Sequence, residues 1–198
     1  MLVVGLTGNI GSGKTTVLKL LKAKGAPTFN CDQQIHKYYR NRKGLVYKKL
    51  VALFPEVLSR GRINRKLLSE IVFSDPVKLK KLERVVHPLV IKDLTNWIKK
   101  CRRQARSKIA IAEVPLLFEK KLTARFDLVV LVKLKLKVSL KRLNEIYGFS
   151  KGLALKRLSF YCPLREKIKR ADFVIDNSGK IKELTKEVDL LWKNLKQK

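Results

Sequence analysis

The sequence predicts a three-layer α/β fold built on a central parallel sheet, and three observations predict it. Short apolar runs read as strands at Leu2 to Thr7, Thr28 to Cys31, Ile109 to Val114, Asp127 to Val132 and Asp172 to Asp176. Segments of helical periodicity separate these runs, as the crossovers of a parallel sheet require. A glycine-rich stretch, GNIGSGKT from Gly8 to Thr15, stands where the first strand passes into the first helix.

The bulk properties set the limits. A chain of 198 residues suits one α/β domain with room for insertions, and 45% hydrophobic content is enough for a sizeable core. The longest charge-free run, Met1 to Gly13, is broken by glycines and an asparagine and has no basic segment ahead of it. Neither a signal peptide nor a membrane-spanning helix is therefore expected, and the expected compartment is the cytoplasm. Cys31, Cys101 and Cys162 lie far apart with no C-x-x-C spacing, so neither a disulfide framework nor a zinc site is indicated. With only His36 and His87 to add, spacing alone assembles no metal cluster. The formal charge of +30 is spread in comparable parts over residues 1–60, 61–107 and 108–198, which rules out a detachable basic arm as its source. Such a field attracts nucleic acid and phosphorylated small molecules alike.

The first strand is a short apolar run bounded by glycine, as expected of a buried parallel strand. The stretch that follows fits the phosphate-binding pattern G-x-x-x-x-G-K-[ST] at every fixed position, a match expected by chance in about 1% of chains this long. Gly8, Gly11 and Gly13 keep side chains out of the way, so successive backbone N–H groups can curl around an anion. Lys14 can reach the terminal phosphates of a nucleotide, and the Thr15 hydroxyl can take a place on Mg²⁺. The first helix carries Val17, Leu18 and Leu21 on one face and ends at Lys24 and Gly25. The second strand is expected to run through Cys31 and end at Asp32, at the sheet edge where ligands of open parallel sheets bind. There Asp32 could orient or deprotonate an attacking hydroxyl, or it could cap the helix bearing Ile35, His36, Tyr38 and Tyr39.

From Tyr38 to about Ser107 no strand is evident, only helical periodicity with a turn at Gly61. Asn64 can cap a helix carrying Leu67, Leu68, Ile71 and Val72, leaving Arg65 to point elsewhere, and Asp75 with Pro76 starts another. Pro88 is expected to divide that last run in two. About seventy residues of helix between strands fits a substrate-covering insertion. Glu113, near the end of the next strand, could hold Mg²⁺ through water or could be a buried structural carboxylate. After Asp127 to Val132 come a helix over Lys135 to Ile146 and a basic helical excursion to Arg170, broken at Pro163. The last strand leads through Asn177, Ser178 and Gly179 into a helix with Ile181, Leu184, Val188, Leu191 and Leu195 on its inner face.

Several stretches together resemble the dephospho-CoA kinase family, which carries out the last step of coenzyme A synthesis. They are LTGNIGSGKTT at Leu6 to Thr16, CD at Cys31 and Asp32 with His36 after it, GRINRKLLSEIVF at Gly61 to Phe73, LERVVHPLV at Leu82 to Val90, VPLLFE at Val114 to Glu119, and KRADFVIDNSG at Lys169 to Gly179. The resemblance implies a three-layer P-loop NTPase fold with a core of residues 1–32, 108–142 and 171–198. It also implies a helical CoA-binding insertion at about 33–107 and a small helical lid at about 143–170. The implied reaction moves the γ-phosphoryl group of ATP, with Mg²⁺, to the ribose 3′-hydroxyl of dephospho-CoA. The implied catalytic set is Asp32, Lys14 and Arg142; ATP would be held by Gly8, Gly11, Ser12, Gly13, Lys14, Thr15, Thr16 and Asn177. Arg65 and His87 fall on substrate-side positions, though His87 equally suits helix packing; Asn177 to Gly179 would lie near the adenine of ATP, or form a plain strand-to-helix turn. Mg²⁺ would rest on Thr15 and Glu113.

The chain departs from the family's lid pattern, R-L-x-x-R: Arg142 and Leu143 match, but Ile146 stands where the second arginine belongs. Tyr147 and Tyr161 also replace an expected Asp and Gln. Either Lys151, Arg157 or Arg165 is then the substitute cation, or turnover is slow. Two other functions remain open on the sequence: a small-molecule kinase with a nucleoside, nucleotide or other hydroxyl acceptor, against which the INR and HP elements argue, and a nucleic-acid-binding P-loop ATPase suggested by the +30 charge. The dispersed charge, 8% aromatics and absence of a nucleic-acid-binding motif argue against specific nucleic-acid binding, and no membrane partner is expected.

Overall fold

A computed structural model of the chain describes residues 1–104 and 107–198. The regular elements begin β1 (Leu2–Thr7), α1 (Lys14–Ala23), β2 (Thr28–Asn30), α2 (Cys31–Arg40), α3 (Leu45–Leu53), β3 (Leu58–Ser59), β4 (Arg62–Ile63), α4 (Arg65–Ser74) and α5 (Pro76–Gln104). They continue with β5 (Ile109–Glu113), β6 (Leu128–Lys133), α6 (Leu136–Tyr147), α7 (Lys151–Leu158), α8 (Leu164–Arg170), β7 (Phe173–Asp176) and α9 (Ile181–Lys196). Two compact units result, Met1–Asn30 with Trp97–Lys198, and Cys31–Asn96. The second is shorter than the expected insertion of about 33–107, because the end of α5 belongs to the sheet unit, where Trp97 packs 5.6 Å from the Phe29 ring. Residues 105 and 106, within that expected span, lie outside the described residues.

The first unit holds a five-stranded sheet in the order β2-β5-β1-β6-β7, with every pairing parallel. Val4, Leu6, Ile109, Ile111, Val130, Val132 and Ile175 form one face with the apolar stripes of α1 and α9. That stripe uses Leu184, Val188, Leu191 and Leu195, as expected, but not Ile181, which is 59% exposed. Ile181 opens the helix, one turn before the stripe meets the sheet. On the other face the segment around Leu117 and Phe126 presses against Gly5, where a Cβ would sit 2.6 Å from Leu117 Cδ1; α8 also lies there, against β6. The register puts Asn30 of β2 and Leu6 of β1 level with Glu113 of β5, so three strands end together at the carboxyl edge.

Strand boundaries differ from the expected ones for local reasons. Asp127 and Asp172 precede β6 and β7 instead of opening them, because their carboxylates accept from the neighbouring strands' Val3 and Val129 N–H groups at 2.7 Å. Asp32 does not close β2. The strand stops at Asn30 and helix α2 starts directly, which places Asp32 in its first turn. A carboxylate there faces the positive end of the helix dipole.

The second unit packs Val46, Leu50, Phe54, Val57, Leu68, Val72 and Val86 around one core. Asn64 caps α4 by accepting from the Leu67 N–H at 3.2 Å, and Asp75 accepts from the Val77 N–H at 2.7 Å to start α5. Contrary to expectation there is extended structure here: β3 and β4 form a short antiparallel hairpin. Its turn, Arg60 and Gly61, has φ of 47° and 71°, the left-handed pair that suits the strand twist, and the Tyr47 hydroxyl donates to the Gly61 carbonyl. Pro88 does not divide α5, which runs unbroken from Pro76 to Gln104. The lost N–H and ring crowding are outweighed by the buried stripe of Val86, Val90 and Leu94 on either side of it. No helix among the described residues is long and apolar enough to cross a membrane.

Candidate active site

The loop between β1 and α1 takes its shape from its glycines and from the residues packed against them. Gly13 has φ 88° and leads directly into Lys14, the first residue of α1. A Cβ on Gly13 would lie 2.1 Å from Asn177 Nδ2, and one on Gly8 2.3 Å from the Val132 carbonyl oxygen. Asn177 follows β7 and donates to the Ser12 carbonyl at 2.9 Å, while Arg142 of α6 donates to the Asn177 carbonyl at 2.9 Å. Lys14 is 7% exposed and donates from Nζ to the Asn9 carbonyl at 3.0 Å. Two expected residues, Asn177 and Arg142, are thus brought onto the loop. Asn177 braces its backbone here instead of merely making a turn.

Gly13→Ala is therefore expected to strain the backbone by about 1–3 kcal/mol and to displace Asn177. Thermal melts and ATP calorimetry should show a lower Tm and at least a tenfold loss of affinity.

At the carboxyl edge the Thr15 hydroxyl donates to Glu113 Oε1 at 3.0 Å, and Asn30 Nδ2 donates to Glu113 Oε2 at 2.5 Å. Glu113 is 1% exposed, so both oxygens of a buried carboxylate are engaged and its orientation is fixed. Hydroxyl and carboxylate oxygens are the hard donors that Mg²⁺ prefers. The loop also fits a phosphate: the Ser12 hydroxyl is buried with no hydrogen-bond partner among the described residues, and the glycine cradle leaves no room for a Cβ. Thr16 is exposed at the start of α1.

A second group lies in the Cys31–Asn96 unit. Arg65 Nη1 lies 3.0 Å from His36 Nδ1 and 2.9 Å from Nε2. Burial, with the Arg65 and Arg40 charges, holds the His36 imidazole below its ordinary value of 6.5, against the opposing pull of the Asp32 carboxylate. Burial and the Asp32 charge push the Tyr39 phenol upward. Asp32, His36, Tyr39 and Arg65 therefore form one electrostatic group. His87 is placed differently, 4.0 Å from Glu83 one turn earlier on α5. Because His36 is more easily protonated in the unfolded chain, stability should be full above pH 6.5 and decline as pH falls below it. Melting curves between about pH 7.5 and 5.5 should show this decline, and His36→Gln should remove it.

The structure also gathers residues that spacing did not single out. Asn30, the last residue of β2, occupies a position that any strand end would accept. Lys167 of α8 is fully buried, with Nζ 2.7 Å from Glu119 and 3.0 Å from Asn9 Oδ1. Glu119 closes the VPLLFE stretch, a signal that was available; Asn9 sits at a variable position of the loop pattern and gave none. Of the candidate lid cations, Lys151 and Arg165 are exposed, whereas Arg157 is buried with its guanidinium 5.4 Å from the Phe149 ring centre. Ile146 is 61% exposed.

A parallel sheet whose first strand passes through a G-x-x-x-x-G-K-[ST] loop into a helix is the architecture of the P-loop kinases. The sequence model of the dephospho-CoA kinase family matches residues 2–183, and the chain belongs to that family. It is 37% identical over 183 residues to dephospho-CoA kinase of Thermus thermophilus, covering 92% of this chain and 86% of that protein. It is 36% identical over 194 residues to dephospho-CoA kinase of Aquifex aeolicus, covering 97% and 96%. The solved structure of dephospho-CoA kinase from Campylobacter jejuni superposes with a TM-score of 0.70 at 25% identity, covering 98% of this chain and 97% of that one.

Proposed function

We propose that this chain transfers the γ-phosphoryl group of ATP to the ribose 3′-hydroxyl of dephospho-CoA, forming coenzyme A. Family membership over residues 2–183 supports the acceptor. The observation that carries the phosphoryl-donor half is the glycine loop, with Lys14 on the Asn9 carbonyl and Thr15 on Glu113. Lys14 would reach the β- and γ-phosphate oxygens, and the buried Ser12 hydroxyl, without a partner among the described residues, would donate to a phosphate. Thr15, and Glu113 through water, would hold Mg²⁺. Bound there, the metal would neutralise charge on the phosphoryl oxygens. Asp32 would accept the proton of the attacking hydroxyl, and Arg65, oriented by neutral His36, would hold acceptor anions within the Cys31–Asn96 unit.

Arg142, anchored to the Asn177 carbonyl, would stabilise the charge that builds on the transferring group. Arg142→Ala should lower kcat about 100-fold, and Arg157→Ala should lower it if that residue replaces the cation missing at Ile146. Unchanged rates in both variants would remove them from the mechanism. The reading places the enzyme in the cytoplasm and assigns the dispersed positive charge to the capture of phosphorylated substrates, with no specific nucleic-acid partner. The deciding experiment incubates purified protein with Mg²⁺ and ATP against dephospho-CoA and a panel of nucleosides, following products by mass spectrometry. Coenzyme A is expected; its absence would overturn the assignment, and phosphorylation of a nucleoside instead would move it to the related kinase reading.

A further inference from the structure

We propose that Lys167 is a positioning residue of the phosphate loop: its buried ammonium grips the Asn9 side chain and so sets the Asn9 carbonyl on which Lys14 rests. The inference rests on the reading of this loop as the ATP site.

Asn9 is held from two sides by two lysines. Its Oδ1 accepts from Lys167 Nζ at 3.0 Å, and its backbone carbonyl accepts from Lys14 Nζ at 3.0 Å. Fixing the side chain of a loop residue restricts its backbone as well, and the carbonyl on that backbone is the resting point of the loop lysine. Lys167 is itself immobilised. It is 0% exposed, it pairs with Glu119 Oε1 at 2.7 Å, and the Tyr161 ring centre lies 4.9 Å from its ammonium. Glu119 Oε1 in turn accepts from the Cys162 N–H at 2.9 Å. The chain of contacts therefore runs from the α7–α8 connection through Glu119 and Lys167 to Asn9 and then to Lys14.

Stability alone gives little reason for a lysine at this position. Taking an ammonium and a carboxylate out of water costs about as much as their pairing returns, and apolar side chains of similar size commonly do as well or better. What an apolar side chain cannot do is donate to Asn9. The charge also matters, since a bond from an ammonium to a neutral amide oxygen is stronger than one between neutral groups. Tyr161 contributes by stacking on the ammonium, which gives a physical use to a residue that departs from the family's pattern at that position.

The test uses the full-length chain and ADP with Mg²⁺ as the probe, titrated by calorimetry alongside steady-state kinetics. Lys167→Met should raise the ADP Kd and the ATP KM about tenfold, with the dephospho-CoA KM within about twofold of wild type. Asn9→Ala leaves the Lys167–Glu119 pair in place and should raise the same two constants by a similar factor. Because both act through one contact, the double variant should be no weaker than either single one. A folded Lys167→Met that binds ADP as tightly as wild type, or effects that multiply in the double variant, would overturn the inference. If Lys167→Met fails to fold, Asn9→Ala decides alone, and an unchanged ADP Kd there overturns it. Wild-type protein that binds no ADP would instead bring down the nucleotide reading of the loop, and the inference with it.

Discussion

Replacing Lys14 by Ala is expected to cut phosphoryl transfer by about 10³-fold while leaving the fold intact. Lys14 opens α1, where alanine is a good helix former, so the helix loses little. The loop keeps its shape because the Asn177 and Lys167 braces do not pass through Lys14. What disappears is the cation that would follow charge onto the β- and γ-oxygens as the bond breaks, a contribution larger in the transition state than in the bound ground state. The kcat from a coupled ADP-release assay should therefore fall much further than the ADP affinity measured by calorimetry. A kcat within tenfold of wild type would remove Lys14 from the chemical step.

Asp32→Asn is expected to lower kcat by about 10²–10⁴-fold, with the dephospho-CoA KM changed no more than a few-fold. The amide keeps the shape but cannot take the proton of the attacking hydroxyl. The substitution also has a signature apart from catalysis. The Asp32 charge raises both the Tyr39 phenol and the His36 imidazole, so removing it should lower both. Ultraviolet titration of the phenol and NMR titration of the imidazole would read the two shifts. Full activity in Asp32→Asn would leave the residue with only its place in the first turn of α2.

The features legible in the sequence were those whose chemistry demands fixed spacing. The glycines, Lys14 and Thr15 must lie at set intervals to wrap a phosphate, and Glu113 had to come at the end of a buried strand. Features set by side chains meeting across the fold were not legible. β2 stops at Asn30 because helix α2 begins at Cys31, and the later strands start after Asp127 and Asp172 because those carboxylates bind the neighbouring strands. The continuity of α5 through Pro88 depends on packing on both sides of it, which local propensity cannot weigh. The Arg60–Gly61 hairpin is too short to show alternation at all. The family resemblance supplied Asp32, His36, Arg65, Ser12 and Asn177 but not their pairing: His36 meeting Arg65, Asn177 meeting the Ser12 carbonyl, and Lys167 meeting Asn9 are contacts between residues distant in sequence.

Gly5 carries a consequence larger than its size. At the middle of the central strand it contributes no side chain, and the space it leaves is taken by Leu117 and the Phe126 ring. The distance between the sheet and the segment that covers it is therefore dictated by a missing group. A single added methyl would press on Leu117 and the Phe126 ring, so that face keeps its spacing only while this position stays bare.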